Sequence, residues 1–501
     1  MWCINIKGRY LEKELEYVKI SEKLKLESSQ SELDFVDIDL ANDMALFLDP
    51  YFLSIREDKW SKSAHRTLEN YFQFVLDLLE KGEENTAKEY FRFNEPEEVC
   101  FGLSKSGTQG KGLGKDESSK LFSYIMESKA VEDGVINTPS DIKIFVPNIG
   151  HDKLSDLTIN VIRKHLIEYT KDQMNLHGIS LTNAPSGIYW DTEILSWNNS
   201  YEDMLIIDGK PVILVPKAIV CKMDDYFYDH NVYANTPVYH YLKDRELRIG
   251  SSLVKERKSG EKYVTKKDLK SEYGFEKKVF LQKFTKKHPE IYDHFKNQAK
   301  DRVKSIDDSE LIENNYDEVY EGIIDSLISK FNTIPSGTKH ANEYHELIIG
   351  AMTFLFYPDL INPVKEQPLH DGRKRIDITY DNASRDGFFY TLSNNKKIPC
   401  SYIFVECKNY TGEVLNPEFD QLNGRFSVNN GQFGFLVFRK TENEAAIIKR
   451  CQDFYKDMRN LIIPIMDKDF IEMLERKKES QTNFPQQNFL NEITRKIMLD
   501  S

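Results

Sequence analysis

The chain has 501 residues, of which 40% are hydrophobic, and its formal net charge at pH 7 is −13. It contains no uninterrupted apolar stretch long enough to cross a bilayer, no apolar signal-peptide core at its start, and no close spacing among its six cysteines. We therefore expect a reduced, cytoplasmic protein without a membrane partner. The negative net charge argues against indiscriminate binding to nucleic acid, but it gives no information on local patches of charge.

The length predicts two or three domains, and the mixture of strand-like and helical patterns predicts the α/β class. We expect an N-terminal α+β domain over residues 1–245, which no motif assigns to a family and which acts as a sensor or specificity module. A basic helical module or linker is expected over residues 246–332. Residues 333–501 are expected to form a C-terminal domain with a mixed sheet flanked by helices.

The predicted N-terminal domain combines short apolar runs with a long periodic segment. The runs predict strands over 142–146, 204–207 and 211–215, and the periodic segment predicts a helix over 154–170 capped by Asp152 or Ser155. Glycines and lysines over 102–115 suggest a phosphate cradle, but no frame among them has the spacing of the phosphate-binding loop. We interpret this stretch as a basic loop before a helix that begins near Asp116.

Four polar residues of the same domain could form a site. They are Asp49, His151, Asp152 and Asp156. Their arrangement matches no recognisable chemical template, and satisfied helix caps and turns explain them equally well. No function follows from them.

Lysine dominates residues 255–304. Thr265 followed by Asp268 is a capping-box pattern that predicts the start of a helix, and aromatic and aliphatic residues then recur at helical spacing. One interpretation is a surface that contacts phosphates. The other, which we favour, is the solvated face of ordinary helices, because lysine is mostly exposed in proteins.

The C-terminal domain shows a regular alternation of elements. In chain order, we first predict helices over 318–329 and 339–356 and strands over 376–380 and 402–408. A helix with Asn416 as its N-cap and Pro417 in its first turn follows, and then a strand over 433–438. A Thr441–Glu444 capping box predicts a helix that ends near 458, and a strand over 461–466 and a short helix from Asp467 complete the order. Strands alternating with helices in this way are typical of a mixed sheet flanked by helices.

The strand that contains Glu406 and Lys408 is the most informative element. Its first four residues, 402–405, are apolar, as expected of a strand buried on both faces. Because successive side chains of a strand point to opposite faces, Glu406 and Lys408 share a face and Cys407 points away. Two ionisable groups on a buried strand must be paired or bind a ligand. Taken alone, this pattern is explained equally well by an ion pair at the strand end and by a catalytic site.

Acidic residues on the preceding elements extend the pattern. Asp377 lies within the preceding predicted strand, and Glu343 and Glu346 lie one turn apart on the helix before it. A carboxylate that holds Mg²⁺ and an ammonium that steadies the attacking water are what a metal-dependent nuclease needs.

This order of elements, with Asp377 and the tripeptide from Glu406 to Lys408, resembles the restriction-endonuclease-like superfamily of PD-(D/E)XK nucleases, above all its Mrr-type restriction domains. The resemblance covers about residues 335–474, and Ile376 stands where the family's name-giving proline would be. It implies metal ligation by Asp377 and Glu406, with Lys408 assisting the attack.

The resemblance also implies roles for further residues. Glu346 is our choice for the helical glutamate that often completes the site, with Glu343 in reserve, and Gln421 matches a glutamine common in Mrr-type members. The expected ligands of Mg²⁺, for which Mn²⁺ can substitute, are Asp377, Glu406, Glu346 and the Cys407 backbone carbonyl. Gln421 and Arg425 could position the phosphate backbone.

Together these residues predict an Mg²⁺-dependent endonuclease that acts on DNA in bacterial defence or restriction. The alternatives are an RNA-directed nuclease and a catalytically silent nucleic-acid-binding or regulatory protein that keeps the fold. The expected partners are DNA or RNA, a protein of a defence operon, and a second copy of the chain, since cutting two strands with one site per chain favours a dimer.

Overall fold

The computed structural model describes residues 18–102, 115–222, 227–312, 316–369, 374–481 and 484–499. The predicted basic loop over 102–115 lies almost entirely outside these residues. The fold is mixed α/β with several sheets, which confirms the predicted class at this level. Buried apolar residues form two cores, one drawn from residues 20–311 and the other from Leu176 together with residues 320–497.

The first unit of the chain, up to Leu311, is mostly helical. Its α-helices are α1 (Ile20–Leu24), α2 (Pro50–Ser54), α3 (Lys59–Glu80), α4 (Glu84–Tyr90), α5 (Lys115–Ser128), α6 (Asp141–Phe145), α7 (His151–Leu176), α8 (His230–Tyr233), α9 (Tyr239–Ile249), α10 (Lys266–Tyr273), α11 (Lys278–Lys287), α12 (Pro289–Arg302) and α13 (Asp308–Leu311). The 26-residue helix α7 buries side chains on nearly every side, so it forms the centre of this unit.

Small antiparallel sheets surround these helices. Their strands are β1 (Phe47–Leu48), β2 (Thr182–Pro185), β3 (Tyr189–Asp191), β4 (Ser196–Asn198), β5 (Tyr201–Ile207), β6 (Lys210–Val212), β7 (Val220–Cys221), β8 (Lys255–Glu256) and β9 (Lys262–Tyr263). β1 pairs with β7, β5 lies between β2 and β6, and β3–β4 and β8–β9 are hairpins.

The predictions for this unit have mixed outcomes. The helix predicted over 154–170 lies within α7, although α7 begins after Gly150 without a side-chain cap. The strand predicted over 204–207 is the second half of β5, but β6 covers only the start of the strand predicted over 211–215. The strand predicted over 142–146 is wrong, since these residues lie in α6 and its C-cap. A short apolar run does not distinguish a buried helix from a buried strand.

The basic segment is helical and packs into the first core. α10 begins where the capping box predicts, because Oγ1 of Thr265 accepts from the main-chain N–H of Asp268 at 3.1 Å. Residues 266–311 belong to the first core, whereas the next helix belongs to the second. The predicted module over 246–332 therefore contributes to both cores, and its domain boundaries stay a prediction.

The second unit contains a five-stranded mixed sheet flanked by helices. The helices are α14 (Tyr316–Thr333), α15 (Ala341–Phe356), α16 (Gly387–Asn394), α17 (Asn416–Asn423), α18 (Glu444–Met458), α19 (Asp467–Glu479) and α20 (Pro485–Leu499), and the strands are β10 (Leu360–Leu369), β11 (Lys374–Asn382), β12 (Tyr402–Lys408), β13 (Phe433–Phe438) and β14 (Leu461–Met466). The strands lie in chain order across the sheet. The first three are antiparallel, and β12, β13 and β14 are parallel.

The elements predicted for this unit are present, while two of their caps differ. Asn416 is the first residue of α17 and Leu415 is its cap. The side chain of Asn443, not Thr441, caps α18 by accepting from the main-chain N–H of Ala446 at 3.0 Å. Among the described residues, no helix is long and apolar enough to cross a membrane.

The first unit packs along β10, the edge strand of the mixed sheet. Asp34 accepts from the main-chain N–H of Asn362 at 3.1 Å, and Gln173 of α7 donates to the Pro363 carbonyl at 3.2 Å. The second unit also donates to the first, because the guanidinium of Arg385 donates to the Val303 carbonyl at 2.9 Å. The first unit therefore covers an edge that would otherwise present unpaired backbone groups.

Candidate functional site

Two neighbouring strands bring Asp377 and Glu406 together. Ile378 of β11 is the register partner of Val405 of β12 in the antiparallel pair, so Asp377 and Glu406 are the next residues along the two strands. The main-chain N–H of Cys407 donates to Oδ2 of Asp377 at 3.0 Å. Because the strand pairing sets this position, the Asp377 carboxylate has a fixed place beside the end of β12.

The Glu406 carboxylate is fully buried and ion-paired at both oxygens. Its side chain has 0% exposure, Nζ of Lys408 lies 2.6 Å from Oε1, and the guanidinium of Arg425 pairs with Oε2. A buried charge requires such partners, because transfer out of water is costly. Burial lowers the pKa of Arg425, and the charge of Asp377 partly offsets that effect. Two carboxylates and two cations thus meet at one place.

Helix α17 supplies the other side of this group. Pro417 lies in its first turn, Gly424 is its C-cap, and Arg425 follows directly, where it reaches the buried Glu406. The exposed side chain of Gln421 lies on the last turn, with Oε1 3.4 Å from Nζ of Lys408. The Lys408 ammonium is therefore held between Glu406 and Gln421.

His345 of α15 also lies at the site, and it was not among the residues predicted for it. Burial lowers the pKa of His345, whereas the charge of Asp377 and a hydrogen bond with the Cys407 backbone raise it. A hydrogen bond that raises a histidine pKa is one that the ring donates, so the acceptor is the Cys407 carbonyl. The available signal was its spacing, since His345 precedes the buried Ile348 and Ile349 by three and four residues.

The two predicted helical glutamates lie on the exposed surface of α15. The Glu346 carboxyl has a raised pKa, mainly because nearby atoms remove water from it, and Lys365 and Glu343 are the next influences. Glu343 lies 3.1 Å from Nδ1 of His340. Asp377 and Glu406 are not among the charges that act most strongly on Glu346, so its role as a ligand stays a prediction.

The oxygen donors that come together are those that Mg²⁺ prefers. They are the carboxylates of Asp377 and Glu406 and the Cys407 main-chain carbonyl. Burial raises the pKa of the Cys407 thiol well above its usual value, so the side chain stays a thiol and only its backbone suits this cation. Within the part of the chain that the structure describes, no group of three or more His, Cys, Asp or Glu residues could hold a metal ion.

Of the four polar residues of the first unit, Asp49 has a structural role. Asp49 caps α2 and lies 3.1 Å from Nζ of Lys143. His151 is the first residue of α7, and burial and the Lys143 charge lower its pKa to about 4. Burial and the charge of Asp152 raise the pKa of Asp156 to about 8. The cap at Asp49 agrees with the alternative interpretation of this group.

Comparisons with known proteins give one match. The model of a family described as a domain of unknown function, DUF8370, matches residues 25–227, which lie in the first unit and include none of the residues from Asp377 to Arg425. No curated protein and no solved structure matches the chain.

Proposed function

We propose that the protein is an Mg²⁺-dependent endonuclease that hydrolyses phosphodiester bonds of DNA at a PD-(D/E)XK site. The observation that supports this most strongly is the meeting of Asp377, Glu406 and Lys408 at adjacent strands, with Lys408 Nζ 2.6 Å from Glu406. Asp377 and Glu406 are separated by 28 residues of the sequence. The ion pair between Glu406 and Lys408 within β12 therefore does not explain why Asp377 lies beside it. The setting that we propose, cytoplasmic bacterial defence or restriction, rests on the family resemblance alone.

The order of the elements also supports the proposal. Helix α15 precedes three antiparallel strands, α17 follows β12, and β13 then returns parallel to β12. Asp377 lies on β11, Glu406 and Lys408 lie on the central strand β12, and Arg425 directly follows α17. A site on a rigid sheet holds its side chains more accurately than a site on loops.

Each residue of the site has a chemical task in this proposal. Asp377, Glu406 and the Cys407 carbonyl would hold Mg²⁺, which when bound lowers the pKa of a coordinated water and withdraws charge from the phosphate. Lys408 has a fixed ammonium that can donate to the attacking water and offset the negative charge that develops on the phosphate. Gln421 keeps Lys408 in position, and Arg425 balances the charge of the two carboxylates.

A second candidate function is a catalytically silent nucleic-acid-binding protein. The specific observation in its favour is that both oxygens of the buried Glu406 already have cationic partners. Such a group can serve as a structural ion pair, and its interactions would then satisfy the charges without a metal. This function predicts binding of nucleic acid without cleavage.

Cleavage of supercoiled plasmid DNA tests the proposal. Wild type with Mg²⁺ is expected to nick or linearise the plasmid, and Asp377→Ala and Lys408→Ala are expected to lose this activity. Lys456→Ala, which changes an exposed lysine of α18, is the matched control. Equal cleavage by all four proteins would reject the site assignment. No cleavage of DNA or RNA by wild type in Mg²⁺ or Mn²⁺ would favour the second candidate.

A further inference from the structure

Helices α10 and α11 are joined by a four-residue turn that begins with glycine. The turn comprises residues 274–277, and its first residue, Gly274, ends α10 in the left-handed region with φ of 57°. Glycine adopts this conformation without steric cost. Lys277 then closes the turn, because its N–H donates to the Gly274 carbonyl at 2.9 Å. This connection has the length and the glycine that are common in the turn of a helix-turn-helix.

Apolar side chains of both helices and of the turn between them are buried in the first core. Leu269 of α10, Phe275 of the turn, and Leu281 and Phe284 of α11 are all buried. The rings of Tyr273 and Phe280, on either side of the turn, have centroids 6.2 Å apart. A helix-turn-helix needs such a core, because its helices are too short to be stable alone.

One face of α11 is fixed against the rest of the first unit. Gln282 donates to the Phe145 carbonyl at 2.8 Å, and the hydroxyl groups of Thr285 and Tyr233 lie 2.8 Å apart. Lys278 donates to the Val146 carbonyl at 2.9 Å. α11 is therefore held by polar contacts as well as by its apolar side chains, and it presents its other face in a fixed orientation.

The opposite face of α11 is exposed and basic. It consists of Val279, Lys283, Lys286 and Lys287, which share a face at helical spacing. Lys286 lies 2.7 Å from Asp133, whereas no ion pair joins Lys283 or Lys287 to another residue in the described ranges. Val279 is 48% exposed, although an apolar side chain gains nothing from water. An exposed apolar residue among lysines suits the thymine methyl groups and phosphates of a DNA major groove.

The charge around this helix supports an anionic partner. Residues 255–304 contain 16 Lys and Arg against 8 Asp and Glu, while the whole chain has a net charge of −13. Nζ of Lys255 in the β8–β9 hairpin lies 2.6 Å from Asp268 of α10, so the hairpin, with its exposed Lys258 and Lys262, is tied to the same structure. The segment that contains α11 therefore has an excess of positive charge in a chain whose net charge is negative.

We propose that α10 and α11 form a helix-turn-helix that binds duplex DNA, with the exposed face of α11 in the major groove and the hairpin lysines on the flanking phosphates. This places DNA recognition in the first unit, apart from Asp377, Glu406 and Lys408. It goes beyond the proposed endonuclease function, because binding through α11 needs neither the metal nor the site on the mixed sheet.

Fluorescence anisotropy of a labelled duplex of about two helical turns tests this inference with the full chain in EDTA. The double variant Lys283→Glu/Lys287→Glu reverses two charges of α11, and Lys81→Glu/Lys210→Glu reverses two exposed lysines elsewhere in the first unit. We expect the α11 variant to bind about 30-fold more weakly and to lose about two units of salt slope between about 50 and 200 mM salt. The matched control is expected to bind within about threefold of wild type.

The test separates this inference from the endonuclease proposal. Because the major groove of an RNA duplex is too deep and narrow for a helix, we expect RNA of the same sequence to bind at least about tenfold more weakly. Equal loss in both double variants, no loss in the α11 variant, or equal binding of the DNA and RNA duplexes would overturn the inference. Val279→Ala is expected to bind DNA more weakly than wild type, and this result does not depend on whether any of the proteins cleaves DNA.

Discussion

The ammonium nitrogen of Lys408 lies 2.6 Å from Oε1 of Glu406, a carboxylate whose side chain has 0% exposure. Glu406 also pairs with Arg425 through its other oxygen, so two cations surround one buried anion. Asp377, whose carboxylate accepts from the Cys407 N–H, adds the second negative charge. The charges at this end of the sheet therefore balance, and a change to one of them leaves the others uncompensated.

Replacement of Arg425 is expected to destabilise the protein. Arg425→Ala leaves Oε2 of Glu406 buried without its cation, which costs about 3 kcal/mol of unfolding free energy. Glu406→Gln in the same background removes the buried charge and is expected to recover part of that loss. Thermal unfolding of the wild type, the two single variants and the double variant measures this coupling. Additive effects of the two substitutions would contradict a direct interaction.

Magnesium is expected to stabilise the wild type but not a variant of the site. A cation that binds only the folded protein stabilises it, so the melting temperature rises as the concentration of the cation exceeds its Kd. Asp377→Asn removes one negative ligand, so we expect the Mg²⁺-induced rise in melting temperature to disappear in this variant. Asp420→Asn, which changes an exposed acid of α17, is the control and is expected to behave like wild type. An unchanged rise in Asp377→Asn would exclude Asp377 as a ligand.

Substitutions of His345 and Glu346 are expected to change the cleavage rate to different extents. The ring of His345 contacts the Cys407 carbonyl and lies near Asp377, whereas Glu346 is on the exposed surface of α15. Since His345 orients a backbone group at the site, His345→Ala is expected to lower the cleavage rate by about 10- to 100-fold, like the loss of an outer-shell partner of a metal site. Glu346→Ala is expected to change the rate less. If Glu346→Ala lowers the single-turnover rate more than His345→Ala does, Glu346 is the helical ligand.

Asp381 is expected to make stability depend on pH. It lies on β11 near the first unit, and Nδ2 of Asn362 donates to its Oδ2 at 3.0 Å. Burial and the charge of Asp58 raise the pKa of Asp381 from 3.8 to about 7. Because the folded value is above the unfolded value, the folded protein holds the extra proton between these pH values, and stability falls as pH rises through that window.

Asp381→Asn should remove this dependence. The amide resembles the protonated acid, so the variant is expected to melt at a higher temperature than wild type at pH 8 and at nearly the same temperature at pH 4. Melting curves of both proteins at the two pH values measure the difference. The contribution of groups that do not act on Asp381, such as Asp359, whose pKa is raised to about 7, cancels in this comparison. A difference between the two proteins that does not grow with pH would contradict the prediction.

The buried strands were the easiest elements to predict from the sequence. β13 and β14 run from Phe433 to Phe438 and from Leu461 to Met466, as their apolar runs indicate. These strands are buried on both faces, so nearly every residue reports the same environment. β10 was not predicted, because as an edge strand it contains polar residues such as Lys365 and Gln367 and its pattern is weak.

Parts of the candidate site depend on contacts that no local pattern reports. Asp377, Glu406 and Lys408 could be selected because acids and lysines are unusual within apolar strands. The pairing of Arg425 with Glu406 arises only when α17 folds back on β12, so its partner could not be predicted from spacing. His345 had only a weak signal, its helical spacing from the buried Ile348 and Ile349, and every residue on the buried face of a helix has such a spacing.

In the proposed function, Asp377, Glu406 and Lys408 cleave phosphodiester bonds with Mg²⁺. Its most direct test is the single-turnover rate at which the full chain cuts a labelled DNA duplex, measured for wild type and Lys408→Met over a series of Mg²⁺ concentrations. Lys408→Met keeps the length of the side chain and removes its charge. We predict Mg²⁺-dependent cleavage by wild type, none in EDTA, and a rate at least about 100-fold lower for Lys408→Met. Cleavage at equal rates by both proteins, or cleavage in EDTA, would contradict it.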